Sequence, residues 1–248
     1  MLPKEFEENV LGDIEAENGG DLEILGLDAC LMGSAEVAYQ FRNHVQYFIG
    51  SEETEAASGW SWEDVCKEFT DHPTLTTAQL ANAVVDQREH SAIDTLSATC
   101  LSAEGVNILD LRTAVEALAA QLRSDSYKFP CHVARARENT KHVHADYTGY
   151  TNYSYISLYD YCKTLREELD SVSGGTAIRE KAEDVMDLIY PCSMYSTVLE
   201  NSTSVSYAEY KGLTVSYSML TFRADELRAG SSVMLQTELD ISPVSVTT

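Results

Sequence analysis

The chain has 248 residues, 44% of them hydrophobic, which suits one large domain with a sizeable core and excludes a disordered segment. Its 40 acidic residues against 17 basic give a formal net charge of −23, which argues against nucleic acid or an anionic membrane as the main partner. A cationic substrate, a divalent metal or a basic partner suits this charge, as does a plain solvated acidic surface. No apolar run approaches the roughly 20 residues of a membrane span, and the acidic start carries no signal-peptide pattern. The six cysteines are widely spaced with no CxxC pair, which excludes a zinc cluster and need not imply a disulfide framework.

Residues 1–21 are polar and contain Asn18-Gly19-Gly20, the pattern of a loose arm or a short helix. Leu22–Leu27 reads as a strand. Residues 32–44 read as a helix with Val37, Tyr39 and Phe41 among its apolar positions. Residues 45–51 form a second strand, followed by an acidic loop carrying Glu52, Glu53 and Glu55. A helix starts in "WSWEDVCKEF", with Ser61 as cap and Asp64 at capping-box spacing. "TTAQLANAVVDQREHS" is another helix, and residues 95–102 are a third strand. "DLRTAVEALAAQLRSDS" has the clearest helical period, with Leu111, Val115, Leu118 and Leu122 on one face. Helices are expected over residues 131–140, 155–169 and 176–190. Late strands are expected near "SMYSTVLEN" and "LTVSYSML", and "SSVMLQTEL" suits a further strand.

Strands alternating with helices early in the chain imply βαβ units and a mostly parallel sheet covered by helices, an α/β architecture. No internal repeat or low-complexity linker interrupts it. Residues 22–220 read as one domain, residues 1–21 as an N-terminal arm and residues 221–248 as a tail of unassigned structure.

Chemistry concentrates in "LEILGLDACLMGSAEVAYQF". Cys30 falls where the first strand gives way to a helix. In an open parallel α/β sheet, sites form beyond the carboxyl ends of the strands. A helix starting just after Cys30 would present free N–H groups and a positive dipole end to the sulfur, favouring thiolate. The alternative is a small buried cysteine at a turn. Asp28 is a poor activator, because a neighbouring carboxylate raises a thiol pKa. It suits a binding group for a cation held beside the sulfur, or equally a cap for the next helix.

"LGLDACLMGSAEVAYQF" resembles the nucleophile motif of the clostripain family of cysteine peptidases, in the caspase-like clan. Further blocks follow in the family's order. "VQYFIGSEETEAASGWSWEDV" is similar to its next strand, Ser-Glu-Glu loop and aromatic helix start, and "TLSATCLS" to the following strand. "YISLYDYCKTL" resembles its Asp-Leu-Tyr-Asp helix, with Ser157 where Asp is usual. "YKGLTVSYS" resembles its late Gly-Leu-Ser strand. The resemblance spans about residues 22–220. It implies a caspase-like α/β/α sandwich and an endopeptidase that cuts basic polypeptides after Arg or Lys, with Cys30 as nucleophile and Asp28 in the pocket for the basic side chain. Glu52 and Glu53 would help hold the substrate. Some family members depend on calcium, for which Glu53 and Glu55 are the candidates here. Family members are commonly exported, which points to a secreted or cell-envelope location.

The partner base is the difficulty. In the family it is a His in a His-Gly pair on the strand before the nucleophile strand, and residues 1–29 contain no histidine. His44 ends the helix that follows Cys30, roughly 20 Å away along its axis. His72 sits in a turn, and His90 precedes the third strand at the wrong end of the sheet. His132, His142 and His144 fall in a polar region, where "KHVHAD" has metal-like spacing. Three explanations fit: a truncated chain, the heavy chain of an enzyme cut between His and Cys, or an inactive relative. The intact Asp-Ala-Cys motif favours a fragment or heavy chain, whose partner is a His-bearing N-terminal segment or light chain and whose sheet lacks its N-terminal strands. The rival classes are a non-catalytic peptide-binding or regulatory relative, and a different Cys hydrolase using a downstream histidine.

Overall fold

Successive side chains on the second strand point to opposite faces of a sheet, and that division sets the architecture. Phe48 enters one hydrophobic cluster, while its neighbours Tyr47 and Ile49 face another. The structure is a computed structural model, and it describes residues 3–55, 57–86, 95–102, 105–141, 155–190, 198–203 and 211–216.

The strands are β1 (Leu22–Gly26), β2 (Val45–Gly50), β3 (Thr95–Cys100), β4 (Tyr155–Ser157), β5 (Val198–Thr203) and β6 (Thr214–Ser216). The helices are α1 (Pro3–Phe6), α2 (Gly12–Asn18), α3 (Ala35–Phe41), α4 (Trp62–Asp71), α5 (Thr77–Asp86), α6 (Ile108–Asp125), α7 (Pro130–Asn139), α8 (Leu158–Glu168) and α9 (Thr176–Ile189). The main sheet has the order β1-β2-β3-β5, and β4 pairs separately with β6. The larger cluster, on one face, gathers α3 and α6 to α9 around Phe41, Phe48, Leu118 and Tyr161. The smaller, on the other face, packs Trp60, Val65, Val84 and Val85 against Ile49, Leu96 and Ala98. The result is the expected α/β/α sandwich.

The sheet is mixed rather than mostly parallel. β1 and β2 run parallel, with Leu22 opposite Val45 and Gly26 opposite Ile49. β3 runs antiparallel to both β2 and β5. The physical reason is the helix count between strands. One helix carries the chain back so that the next strand runs parallel. Two helices, α4 and α5, joined by a short loop, return it to the end it left, so β3 starts beside the end of β2. Among the described residues, no strand pairs with the outer edge of β1.

Several local expectations shift. The helix after Cys30 starts only at Ala35, where the Ser34 hydroxyl accepts from the Val37 N–H. Ser61 precedes α4, but its hydroxyl donates to the Asp64 carboxylate instead of capping the backbone. α6 starts earlier than the periodicity suggests, behind a capping box of Asn107 and Asp110. Tyr155–Ser157, read as helix, is a short strand, and Ser157 then caps α8. Of the late strands, Val198–Thr203 and Thr214–Ser216 lie within the described residues, while residues 193–197, 217–220 and 231–239 lie outside them.

The N-terminal arm is helical. α1, a π-helical segment over Glu7–Leu11, and α2 follow one another directly. Leu11 is buried, and Phe6 meets Phe41 edge-on with centroids 5.8 Å apart.

Glycine allows one close approach that the site depends on. A Cβ on Gly33 would lie 2.7 Å from the Ser51 carbonyl carbon and 2.8 Å from the Glu52 nitrogen, where the loop after β1 lies against the end of β2. Nothing comes within 4 Å of a Cβ on Gly20. Gly33→Ala is therefore expected to destabilise the chain by about 1–3 kcal/mol in urea unfolding, the scale for forced overpacking. Gly20→Ala is expected to change little.

Candidate functional site

Beyond β1 the chain does not end its pairing with β2; it continues as an irregular zipper. The Leu27 N–H donates to the Ile49 carbonyl at 3.0 Å, Leu31 to Glu53 at 2.9 Å and Gly33 to Ser51 at 2.6 Å. Cys30 lies between these anchors and is exposed. Its Sγ accepts from the Glu55 backbone N–H at 3.3 Å. The next residue, Leu31, holds φ at +63°, a left-handed conformation uncommon for a branched side chain. Since α3 begins only at Ala35, Cys30 stands in a loop, and the helix dipole acts less directly on the sulfur than the sequence suggested.

The zipper is fixed from beneath by β3. The Thr95 hydroxyl oxygen accepts from the backbone N–H groups of Glu52 at 3.0 Å and Glu53 at 3.1 Å. The Ser51 hydroxyl donates to the Glu53 carbonyl and lies 3.3 Å from the Thr95 hydroxyl. Thr95 is fully buried, so these bonds are shielded from water.

Asp28 is exposed, not buried. Its Oδ2 accepts from the Trp60 backbone N–H at 3.0 Å and from the Trp62 indole Nε1–H at 3.3 Å. The two tryptophan rings lie against each other at a tilt of 31°, centroids 5.4 Å apart. Trp60 is buried against the face of Gly26, where a Cβ would meet its ring at 2.7 Å. Gly59, at φ +69°, brings its own Cβ position to 2.5 Å from Asp28 Oδ2. A negative charge thus stands at the surface on a rigid aromatic support, two residues from an exposed thiol.

Glu52 and Glu53 are buried, with 1% and 3% of their surface exposed. Glu53 works through its backbone, as above. Glu52 turns inward, and its Oε1 accepts from the Gly212 N–H at 3.1 Å. Its Oε2 is buried without a hydrogen bond. The Gly212 carbonyl in turn accepts from the Ser97 hydroxyl at 2.7 Å, and the Thr214 N–H donates to the Gly33 carbonyl at 3.0 Å. Residues 212–214 are thereby tied to the underside of the Cys30 loop. Burial pushes the Glu52 carboxyl up to about 8. The Gly212 N–H and Lys211 oppose that rise, and Glu53 reinforces it.

Among the described residues, no group of three or more His, Cys, Asp or Glu side chains is placed to hold a metal ion, and no helix is long and apolar enough to cross a membrane.

No described histidine stands by Cys30. The His44 carbonyl accepts from the Leu22 N–H, at the other end of β1, and its ring contacts Glu15 at 2.7 Å and Glu7 at 3.5 Å. His72 is near Glu68, and His132 sits between Arg135 and Glu168. His90, His142 and His144 lie outside the described residues.

Sequence reasoning missed Thr95, Gly212 and the donor role of the tryptophans. A threonine opening a strand carries no distinctive signal. The pattern Gly59-Trp60-Ser61-Trp62 was visible, but only as an aromatic helix start.

The clostripain family model matches residues 8–237. Among solved structures, a clostripain from Bacteroides thetaiotaomicron in complex with a peptide inhibitor is similar at a TM-score of 0.52 and 16% identity, over 87% of this chain and 85% of that one. An inactive zymogen C11 protease from Parabacteroides distasonis gives 0.51 and 17%, over 83% of this chain and 55% of that one. A secreted C11 cysteine protease from Bacteroides thetaiotaomicron, in complex with an irreversible peptide inhibitor, gives 0.50 and 15%, over 88% and 59%. The chain thus spans most of the first but only somewhat over half of the other two. These likenesses bear on the fold, which is caspase-like. The sequence matches no curated protein.

The Glu52 carboxyl makes stability depend on pH. Its folded pKa lies above its unfolded value of 4.5, so the unfolded chain ionises first. Stability from this group is full below that value and is lost as pH rises through about 8. Glu52→Gln keeps a carbonyl for Gly212 and cannot ionise. Compared with the parent, it is expected to gain about 4 kcal/mol between pH 4 and pH 8 in chemical unfolding, the scale set by a shift of this size. An unchanged pH profile would show that Glu52 is ionised at no cost in the fold.

Proposed function

This chain belongs to the clostripain family, and from that we propose that it is the nucleophile-bearing part of a cysteine endopeptidase that cuts after Arg or Lys. Cys30 is the nucleophile and Asp28 the anchor for the basic side chain. The observation that carries the reading is their juxtaposition: an exposed thiol accepting a backbone N–H, and an exposed carboxylate on a rigid support, two residues apart on one loop.

The chemistry follows from the sulfur. The Cys30 thiolate attacks the carbonyl carbon of the scissile peptide, and the carbonyl electrons move to oxygen. The tetrahedral species collapses to a thioester as the amine leaves with a proton from a general acid, and water then releases the acid product and the thiol. The acid and base is a histidine carried by a segment outside the described residues, on the same polypeptide or a companion chain. The described histidines are all engaged elsewhere, which supports this assignment.

The −23 net charge favours encounter with basic polypeptides. Within that field Asp28 makes the contact, while Glu52, its carboxyl raised by burial to about 8, adds little charge at neutral pH. Being exposed, Asp28 gives a more modest selectivity than a buried carboxylate. Export from the cell is part of the proposal, supported by the secreted relative.

With the His-bearing segment supplied, a peptidyl chloromethyl ketone ending in Arg or Lys is expected to alkylate Cys30, read by peptide mass mapping. Cys30→Ala is expected to remain unlabelled. Asp28→Asn is expected to slow labelling roughly 10- to 100-fold, the scale of a hydrogen bond to a charged group. Equal labelling by an analogue ending in Glu would sink the specificity. No labelling of the completed enzyme would favour a non-catalytic peptide-binding relative.

A further inference from the structure

The Asp28 carboxylate is unevenly committed, and this decides which cation it takes. A carboxylate offers about two acceptor sites on each oxygen. On Oδ2 both are used, one by the Trp60 backbone N–H at 3.0 Å and one by the Trp62 Nε1–H at 3.3 Å. The Gly59 backbone also crowds that oxygen, with its Cβ position 2.5 Å away. Among the described residues Oδ1 makes no hydrogen bond, and Asp28 is exposed.

Arginine gains its advantage over lysine by a fork-on-fork contact, two parallel N–H bonds to the two oxygens of one carboxylate. That contact needs a vacant site on each oxygen. A lysine ammonium is a compact charge that needs only one. We propose that Trp62 is a specificity-determining residue, which by occupying Asp28 Oδ2 makes this site prefer Lys to Arg. The inference rests on the reading of Asp28 as the anchor for the basic side chain.

The support is built to hold this arrangement. Trp60 is 5% exposed and locked on Gly26, so its backbone N–H is fixed. Trp62 is 51% exposed, so its indole lies beside any ligand on the carboxylate. Of the donors to Oδ2, only the Trp62 indole is a side chain, and so only it can be removed by substitution without rebuilding the backbone.

The chain carries only two tryptophans, and both are here. Its intrinsic fluorescence therefore reports this site without any catalytic step. The test titrates the 248-residue chain with two blocked peptides that differ only in a C-terminal Lys or Arg amide. The Lys peptide is expected to saturate the emission change at a concentration at least about three-fold lower, the lost fork contact being the cause. Trp62→Phe keeps an aromatic ring, frees one site on Oδ2 and leaves Trp60 as reporter. In that variant the Arg peptide is expected to gain and the preference to narrow or reverse. Tighter Arg binding in the parent, or a Lys preference unchanged in Trp62→Phe, overturns the inference and leaves the Arg/Lys peptidase reading standing. Loss of neither peptide's binding in Asp28→Asn, or binding of neither by the parent, overturns the anchor reading itself.

Discussion

The buried Thr95 hydroxyl is the constraint on which the site depends. It receives the N–H groups of Glu52 and Glu53, and no ordinary strand pairing would supply partners for both at the end of β2. A buried N–H left unsatisfied costs about 1–3 kcal/mol; since the Glu53 N–H also reaches the Ser51 hydroxyl at 3.3 Å, it is chiefly the Glu52 N–H that ties the loop to Thr95. Once residues 51–53 are fixed, the Glu53 and Ser51 carbonyls fix Leu31 and Gly33. Cys30, held between the Leu27 and Leu31 anchors, has little freedom left. Its position is set by backbone hydrogen bonds and not by packing of its own side chain, which is why it can be exposed and still be placed.

The same loop divides its labour by side chain and backbone. Glu55 gives its N–H to the sulfur, Glu53 its backbone to the zipper, and Glu52 its carboxyl to Gly212. In an acidic stretch that reads as a solvated or cation-binding loop, these groups are part of the framework. The charge that does face solvent belongs to Asp28, and its support comes from the tryptophans at the start of α4.

The sandwich, the strand-helix alternation and the Cys30 seam were legible because they follow from periodicity and from one ordered set of motifs. The direction of β3 was not: both helices before it were legible, but periodicity shows neither which strand β3 would pair with nor at which end it would start. The start of α3 was misplaced because Ser34 and Ala35 suit the cap and the helix equally well by composition. The burial of Glu52 was invisible for a plainer reason. Its partner is the backbone of Gly212, and a backbone N–H leaves no trace in a sequence.

The bond between Glu52 and Gly212 joins residues 160 positions apart. Contacts of such sequence separation form only after the intervening chain is arranged, because loop closure must come first. The segment beneath the Cys30 loop is therefore among the last parts to lock. An emerging chain would carry its thiol in an unseated loop until α6 to α9 had packed. The seating of Cys30 and the completion of the fold would then arrive together.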